Sequence, residues 1–322
     1  MDQPTNALNE RKRITGIWTN LPSQSATVWL CDATADLDHL QSVLATAKDR
    51  TPIGHVELAK SVIQFPQDIT RGKSQGQFQN TLRGLLAMLP QYQRVGLISH
   101  STLTACEKRL EQPFGGRIVQ STYFGSGKER ASNEWYKDCD LVIVAGTPRV
   151  GSSVIQERLC QLGNFDEAGV DGDWGEVQWR GRTRSGEVRI VRGRGYQQPD
   201  WRKAHQSLVR AAIVQAVGRG RGVLEDGCDV IVISTEECGL PLADRPSIPD
   251  LTDKHCEAAR LVAELSATAA SKNAGRQPVT TARASESLGV GERETRYILG
   301  ELEGFGMVRR VGERGGWLPG AE

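Results

Sequence analysis

The chain has 322 residues, with 40 Lys+Arg against 39 Asp+Glu and a formal net charge of +1. That balance excludes a strongly basic nucleic-acid tail or an acidic disordered chain as the main theme, so any contact with nucleic acid comes from local patches. At 38% apolar and 25% charged residues, the composition is that of a globular protein of about two domains.

Residues 1–25 are polar, lack the apolar core of a secretory signal, and read as a disordered or remnant N-terminal segment. Residues 26–31 form a strand-like run ending in Asp32-Ala33-Thr34, and residues 36–47 place Leu37, Leu40, Val43 and Leu44 at helical spacing. A repeated grammar follows. A helix over 77–89 precedes a short apolar run over 94–99, and a helix over 102–110 has Ser101 as N-cap. Another short run spans 117–120. A strongly apolar strand over 140–145 (DLVIVA) ends in Gly146-Thr147-Pro148. Helices over 152–162 and 201–217 then lead to a last apolar strand over 229–234 (DVIVIS). Short β-rich runs alternating with helices require crossovers, which predict an α/β domain over 26–245: a parallel sheet with helices on both faces.

One stretch breaks the grammar. Residues 164–175 (NFDEAGVDGDWG) are acidic, and residues 176–196 alternate around a turn at Ser185-Gly186, predicting an inserted β-hairpin. It carries six arginines (180, 182, 184, 189, 192, 194) against two glutamates. Val177, Trp179, Val188 and Ile190 alternate with them, so one face is expected to pack and the other to be cationic. Such a face tracks phosphates, with Arg180, Arg182 and Arg184 as the DNA-contacting residues; an ordinary solvated charged face is the competing reading.

Residues 246–275 read as a linker and a helix, with two prolines in RPSIPDLTD. The last stretch, 276–322, gives helix (TTARASESL), glycine turn, helix (ERETRYILGELE) and two short strands with a glycine tip. This pattern resembles winged-helix domains, with Ala284, Leu288, Val290, Ile298, Leu299 and Leu302 as the core. DNA binding there would use Arg293 and Arg296 on the second helix and Arg309, Arg310 and Arg314 on the wing. Four glutamates on that helix (292, 294, 301, 303) favour protein docking or plain packing instead.

For nucleotide chemistry the first search is for GxxxxGK[ST], whose backbone N–H groups cradle phosphates. Two stretches come near it. Arg71-Gly72-Lys73-Ser74 has glutamine at the required first glycine, and Gly125-Ser126-Gly127-Lys128 is followed by Glu129 in place of Ser or Thr. Seven cysteines are scattered without a CxxC pair and five histidines lie far apart, so no metal bound by this chain alone is expected and the thiols read as reduced, in a cytoplasmic protein. No run of about 18 apolar residues occurs, so no membrane partner is expected.

The strongest signal is Gln215-Ala216-Val217-Gly218-Arg219-Gly220-Arg221, which closes a helix just before the last strand. The glycines permit a tight turn and close approach, and the arginines offer rigid donor forks for a phosphate. A solvated, arginine-decorated helix end is the plain alternative. This Q-x-x-G-R-x-R resembles motif VI of superfamily 2 helicases. Upstream, residues 132–140 (SNEWYKDCD) with the strand and Gly146-Thr147-Pro148 look like motif V. Residues 95–99 look like motif IV, and Cys31-Asp32-Ala33-Thr34 looks like motif III.

The resemblance implies the second RecA-like lobe of a superfamily 2 DNA helicase of the phage or mobile-element replication type, followed by a winged helix. Arg219 and Arg221 would act on the γ-phosphate of ATP, with Gln215 ordering the site. Gly218, Asp140, Gly146 and Thr147 would lie on the cofactor side, and Asn133 would contact DNA. ATP and Mg²⁺ would be shared with a first lobe, supplied upstream or by a separate chain, so the isolated chain is expected not to hydrolyse ATP. The rival is a non-enzymatic DNA-binding adaptor or regulator working through its winged helix; a third possibility is a decayed remnant. A replication protein is a further possible partner.

Overall fold

The computed structural model describes residues 59–69, 75–104, 117–127, 135–222, 224–245, 247–270, 277–312 and 316–320. The strand expected over 26–31 with the motif III residues, the helix over 36–47, Asn133 and Arg314 lie outside them, as does the helix over 102–110 beyond Thr104. In chain order, β1 (Val62–Phe65), α1 (Gln75–Met88), β2 (Val95–Ser99), α2 (Ser101–Thr104), β3 (Ile118–Tyr123), α3 (Trp135–Asp138) and β4 (Leu141–Ala145) come first. Then α4 (Ser152–Gln161) and α5 (Phe165–Ala168) lead into β5 (Trp174–Arg182) and β6 (Val188–Tyr196). Next come α6 (Pro199–Val217), a 3-10 turn (Gly218–Gly220) and β7 (Asp229–Ile233). The C-terminal elements are α7 (Asp253–Ala270), β8 (Val279–Thr280), α8 (Thr281–Leu288), α9 (Glu292–Gly304), β9 (Val308–Val311) and β10 (Gly316–Pro319).

Five strands form a parallel sheet in the order β1-β7-β4-β2-β3. Leu141 pairs with both Val95 and Asp229, and Phe65 with Ile233. β2 and β4 are buried at every position, as strands covered on both faces must be. On one face α1 presents Phe78, Leu82, Leu85 and Leu86, spaced as one helical stripe, to Leu97, Leu141, Ile143, Ile231 and Ile233. The alternate residues, Val142, Val144, Val230 and Val232, fill the other face, and Ile213 and Ala216 of α6 are likewise fully buried. The chain leaves β2 toward β3 on one side and leaves β4 toward β7 on the other, so the β2–β4 boundary is the topological switch point. β1 escapes a periodicity reading, because Gln64 sits inside a four-residue strand; its side chain is buried and donates to the carbonyls of Ser234 and Glu236.

The described residues divide into two compact units. One holds the sheet, the distal part of the hairpin and everything after residue 211. Within it, the stretch that reads as a linker is a packed strap. Ile248 joins the sheet core, and Leu251 joins the C-terminal core. Asp250 accepts from Thr81, and Asp253 pairs with Arg83 at 2.7 Å. Gly84 permits this close approach, since a Cβ there would lie 1.7 Å from the carbonyl oxygen of Pro249. The C-terminal elements are a helix–turn–helix and a three-stranded antiparallel sheet ordered β8-β10-β9. Thr280 caps α8, and Gly289 makes the turn with φ +63°. Ala284, Ile298, Leu299 and Leu302 are buried there together with Ala258 and Val262 of α7, and Leu288 is partly buried against them.

The other unit gathers residues 149–177 and 194–211. Its core is Ile155, Leu159, Tyr196, Trp201 and Ala204, with Trp174 packed edge-on against Tyr196 and His205. Trp201 donates its indole N–H to the Glu167 carbonyl, which ties α5 to α6.

Candidate functional site

The Gln215–Arg221 stretch is built as a helix end that tightens and then reverses. After Val217, Gly218–Gly220 forms the 3-10 turn, and Arg221 closes it at φ +48°, ψ +40°, its N–H donating to the Gly218 carbonyl. Arg221 is the one residue other than glycine with positive φ among those described. Left-handed backbone costs a side-chain-bearing residue roughly 1–2 kcal/mol, so an arginine held there is conspicuous. Its side chain is exposed and makes no hydrogen bond or ion pair to any described residue. Arg219 is half-buried, and its Nε donates to the Gln215 carbonyl at 3.4 Å, a favourable place for a cation at a helix C-terminus.

The two glycines of the turn differ. Gly218 is exposed with open space where a Cβ would stand. A Cβ on Gly220 would fall 2.3 Å from Cγ2 of Val230 and 3.1 Å from the Cys228 carbonyl. Gly220 therefore seats the turn against β7, while Gly218 leaves backbone open to solvent.

The turn stands at the amino edge of the sheet, where Cys228 donates its N–H to the Gly220 carbonyl. Three carboxylates line this edge. Asp140 accepts from the N–H groups of Gln93 and Arg94 at 3.2 and 3.0 Å, Asp138 faces Arg94 at 3.6 Å, and Asp229 accepts from Ser61 N–H and from the Tyr92 hydroxyl. Burial, and then the bond to Asp229, pushes the Tyr92 hydroxyl up to about 12. Burial likewise raises the Cys139 thiol to about 12 and the Cys228 thiol to about 11, so neither is a nucleophile near neutral pH. Asp140 is exposed but engaged in closing the turn into β2. Tyr92, Arg94 and Asp229 are additions to the expected set. The signal for Asp229 is in the sequence: Cys139-Asp140 and Cys228-Asp229 both precede apolar strands.

Gly146 and Thr147 lie at the opposite, carboxyl edge. Gly146 has φ +108°, and a Cβ there would meet His100 Nε2 at 2.6 Å. His100 is buried, with Nε2 at 3.2 Å from the Ile69 carbonyl, to which it donates. The Thr147 and Ser234 hydroxyls bond at 2.7 Å, and Ser99 donates to the Ala145 carbonyl. At about 3.3 Å per residue, Asp140 and Gly146 are roughly 20 Å apart along β4. The structure thus brings Gln215, Gly218, Arg219, Arg221 and Asp140 to one edge, and Gly146 and Thr147 to the other.

The hairpin corrects one expectation. In β5 the alternation is as read: Val177 and Trp179 are half-buried, and Arg180 and Arg182 are exposed. In β6 the phase is reversed, with Val188 57% and Ile190 63% exposed while Val191 is buried. The cause is on the inner face. Trp179 donates to the Thr235 carbonyl, Gly193 lies against Thr235, and Arg189 spans to the carbonyls of Ala243 and Asp244. The outer face therefore joins Arg180, Arg182 and Arg192 to Val188 and Ile190. Arg184, at the turn, donates to Ser61 Oγ at 3.1 Å.

On the C-terminal elements Arg293, Arg296, Arg309 and Arg310 are all exposed. The glutamates of α9 have local partners: Glu294 pairs with Lys254 at 2.6 Å, Glu301 accepts from Tyr297 and meets His255 at 2.8 Å, and Glu303 accepts from Arg310 N–H. The His255 bond draws the Glu301 carboxyl below its usual range. Among the described residues no group of three or more His, Cys, Asp or Glu is placed to hold a metal ion, and no helix is long and apolar enough to cross a membrane.

No family model matches the chain, and no curated protein matches it. Two similar solved structures are helicases. An XPD structure in the apo state aligns with TM-score 0.31 and 10% identity, over 55% of this chain and 36% of that one. The Escherichia coli DEAH/RHA helicase HrpB aligns with TM-score 0.27 and 12% identity, over 69% of this chain and 26% of that one. The chain spans about a third and a quarter of the length of these two.

Proposed function

We propose that the chain is the arginine-bearing second lobe of an ATP-dependent DNA translocase of the superfamily 2 helicase kind, acting with a phosphate-loop lobe. The observation that carries this reading is the turn at the amino edge of the sheet. There a left-handed, exposed Arg221 and Arg219 stand beside an open Gly218, in a sequence that resembles motif VI. The lobe would contribute positive charge to the γ-phosphate of a nucleotide whose cradle and Mg²⁺ are held by its partner. An arginine supplied across an interface in this way is worth about 10³–10⁵ in turnover. Gln215 and Asp140 border the same edge and would hold the turn and the β2 entry in place as the lobes close. DNA contact falls to Asn133, to the hairpin arginines 180, 182 and 184, and to Arg293, Arg296, Arg309, Arg310 and Arg314.

The test is ATP turnover with single-stranded DNA present, by the purified chain alone and together with a phosphate-loop lobe encoded upstream of it or beside it. Turnover is expected only in the pair and falls at least about a thousandfold in Arg219→Ala or Arg221→Ala. Turnover by the chain alone that is lost in Arg219→Ala overturns the reading.

A second reading has its own support. With Glu294 and Glu301 engaged by Lys254, His255 and Tyr297, Arg293, Arg309 and Arg310 stand less opposed than composition implies, although Arg296 pairs with Glu292 at 4.0 Å, and this suits a DNA-binding adaptor working through its C-terminal elements. Footprinting that survives loss of every ATP-linked function favours that reading.

A further inference from the structure

Between Arg158 and Arg180 the sequence has no lysine or arginine but five carboxylates: Asp166, Glu167, Asp171, Asp173 and Glu176. None of the five side chains has a hydrogen bond or ion pair to a described residue. Among them stand two large apolar side chains turned to solvent, Phe165 at 65% and Val170 at 52% exposure. The backbone beneath is fixed: Trp201 donates to the Glu167 carbonyl, Asp173 N–H donates to Gln198, and Gly172 lies where a Cβ would strike the Trp201 ring. Two exposed apolar side chains close in sequence to five carboxylates that have no partner among the described residues, on backbone held by these contacts, make an interaction surface whose charge repels nucleic acid. Its partner is cationic and apolar.

The chain itself carries a surface of that description. The outer face of the hairpin has Arg180, Arg182 and Arg192 exposed around Val188 and Ile190. We propose that the acidic surface around Phe165 and Val170 docks on the arginine face of the hairpin of a second copy of this chain. The contact joins two different surfaces of the chain, repeated head-to-tail or made twice about a two-fold axis, and its apolar centre and charged rim match what interfaces require. It does not depend on the helicase reading, since it needs no nucleotide.

The experiment is light scattering and sedimentation on the full chain, freed of nucleic acid by nuclease, over a range of concentrations at low and high salt. Concentration-dependent self-association is expected at low salt and is lost at high salt. Asp166→Arg with Asp171→Arg abolishes it, and so does Arg180→Asp with Arg182→Asp. Mixed one to one, the two charge-reversed chains associate again, because the reversed surfaces are complementary. Phe165→Ser weakens association at least about tenfold without changing the charge. Circular dichroism establishes that each variant is folded. A chain that stays monomeric at low salt, association that nuclease removes (nucleic acid bridging two hairpins), or folded reversed chains that fail to re-associate on mixing would each overturn the proposal.

Discussion

Two glycines in the same short motif should behave oppositely when each gains a single methyl group. At Gly220 the added Cβ would sit 2.3 Å from Val230 Cγ2 and 3.1 Å from the Cys228 carbonyl oxygen. Val230 is fully buried in the sheet, and the Cys228 carbonyl belongs to backbone already bonded to the turn, so neither can swing aside. The turn must lift from β7 or the strand must shift, an overpacking cost of about 1–3 kcal/mol. At roughly 2–4 °C per kcal/mol for a unit of this size, Gly220→Ala lowers the melting temperature by about 2–12 °C. At Gly218 nothing lies within 4 Å of the added atom, and the backbone is not left-handed, so Gly218→Ala changes stability by no more than about 0.5 kcal/mol. Thermal melts followed by circular dichroism, with urea titrations as a cross-check, separate the two. Equal stability of the two variants would refute the account of the turn as a surface seated on β7. If Gly218 is open so that a phosphate can approach, Gly218→Ala also lowers the ATP turnover of the two-lobe assembly while leaving the melt unchanged.

Replacing Arg221 with glycine removes a left-handed penalty of about 1–2 kcal/mol and adds a chain-entropy cost of about 0.5–1 kcal/mol, so Arg221→Gly should unfold at equal or higher urea concentration even as it loses its guanidinium. His205, 1% exposed, has its pKa lowered from 6.5 to about 4, first by burial and then by the charge of Arg149. Because the folded value lies below the unfolded one, its contribution is full above pH 6.5 and is lost as pH falls toward about 4, by about 3 kcal/mol. His205→Phe should flatten that part of the stability–pH curve, and an unchanged curve would count against the assignment. If DNA lies on the hairpin, Arg180→Ala with Arg182→Ala should reduce the slope of log affinity against log salt by about 1.4, as measured by anisotropy on a labelled single strand. No change in slope would remove those residues from the interface.

How far the sequence discloses this molecule depends on what each signal measures. The strands 141–145 and 229–233 are legible because burial on both faces demands unbroken apolar runs, and α1 and α6 because their buried residues recur at helical spacing. β1 is hidden by Gln64, whose amide satisfies the carbonyls of Ser234 and Glu236, a partnership between residues 170 and 172 positions apart. The phase of β6 is hidden for a related reason. Arginine reads as a solvent residue, yet Arg189 faces inward because its guanidinium finds the carbonyls of Ala243 and Asp244, and a strand shifted in phase by one residue turns every neighbour over. The strap over 247–252 reads as a linker from its prolines, but Ile248 and Leu251 are its informative residues. Of the candidate site, the arginine turn was legible as a motif. The role of each glycine was not, because only the packing against Val230 separates Gly220 from Gly218.

The separation of the two sheet edges limits what the site can be. Gly146 is expected on the cofactor side from the motif V-like stretch, but its φ of +108° and the 2.6 Å that would separate an added Cβ from His100 Nε2 account for glycine there without any ligand. Thr147 has its hydroxyl bonded to Ser234 inside the protein, so using it for a cofactor would first cost that buried hydrogen bond. At the amino edge the situation is reversed: Arg221 is exposed, strained and without a partner among the described residues, and Gly218 opens onto solvent. If a nucleotide engages Arg221, Thr147 stands at the far edge of the sheet, with the fully buried β4, roughly 20 Å from Asp140 to Gly146, between the two edges.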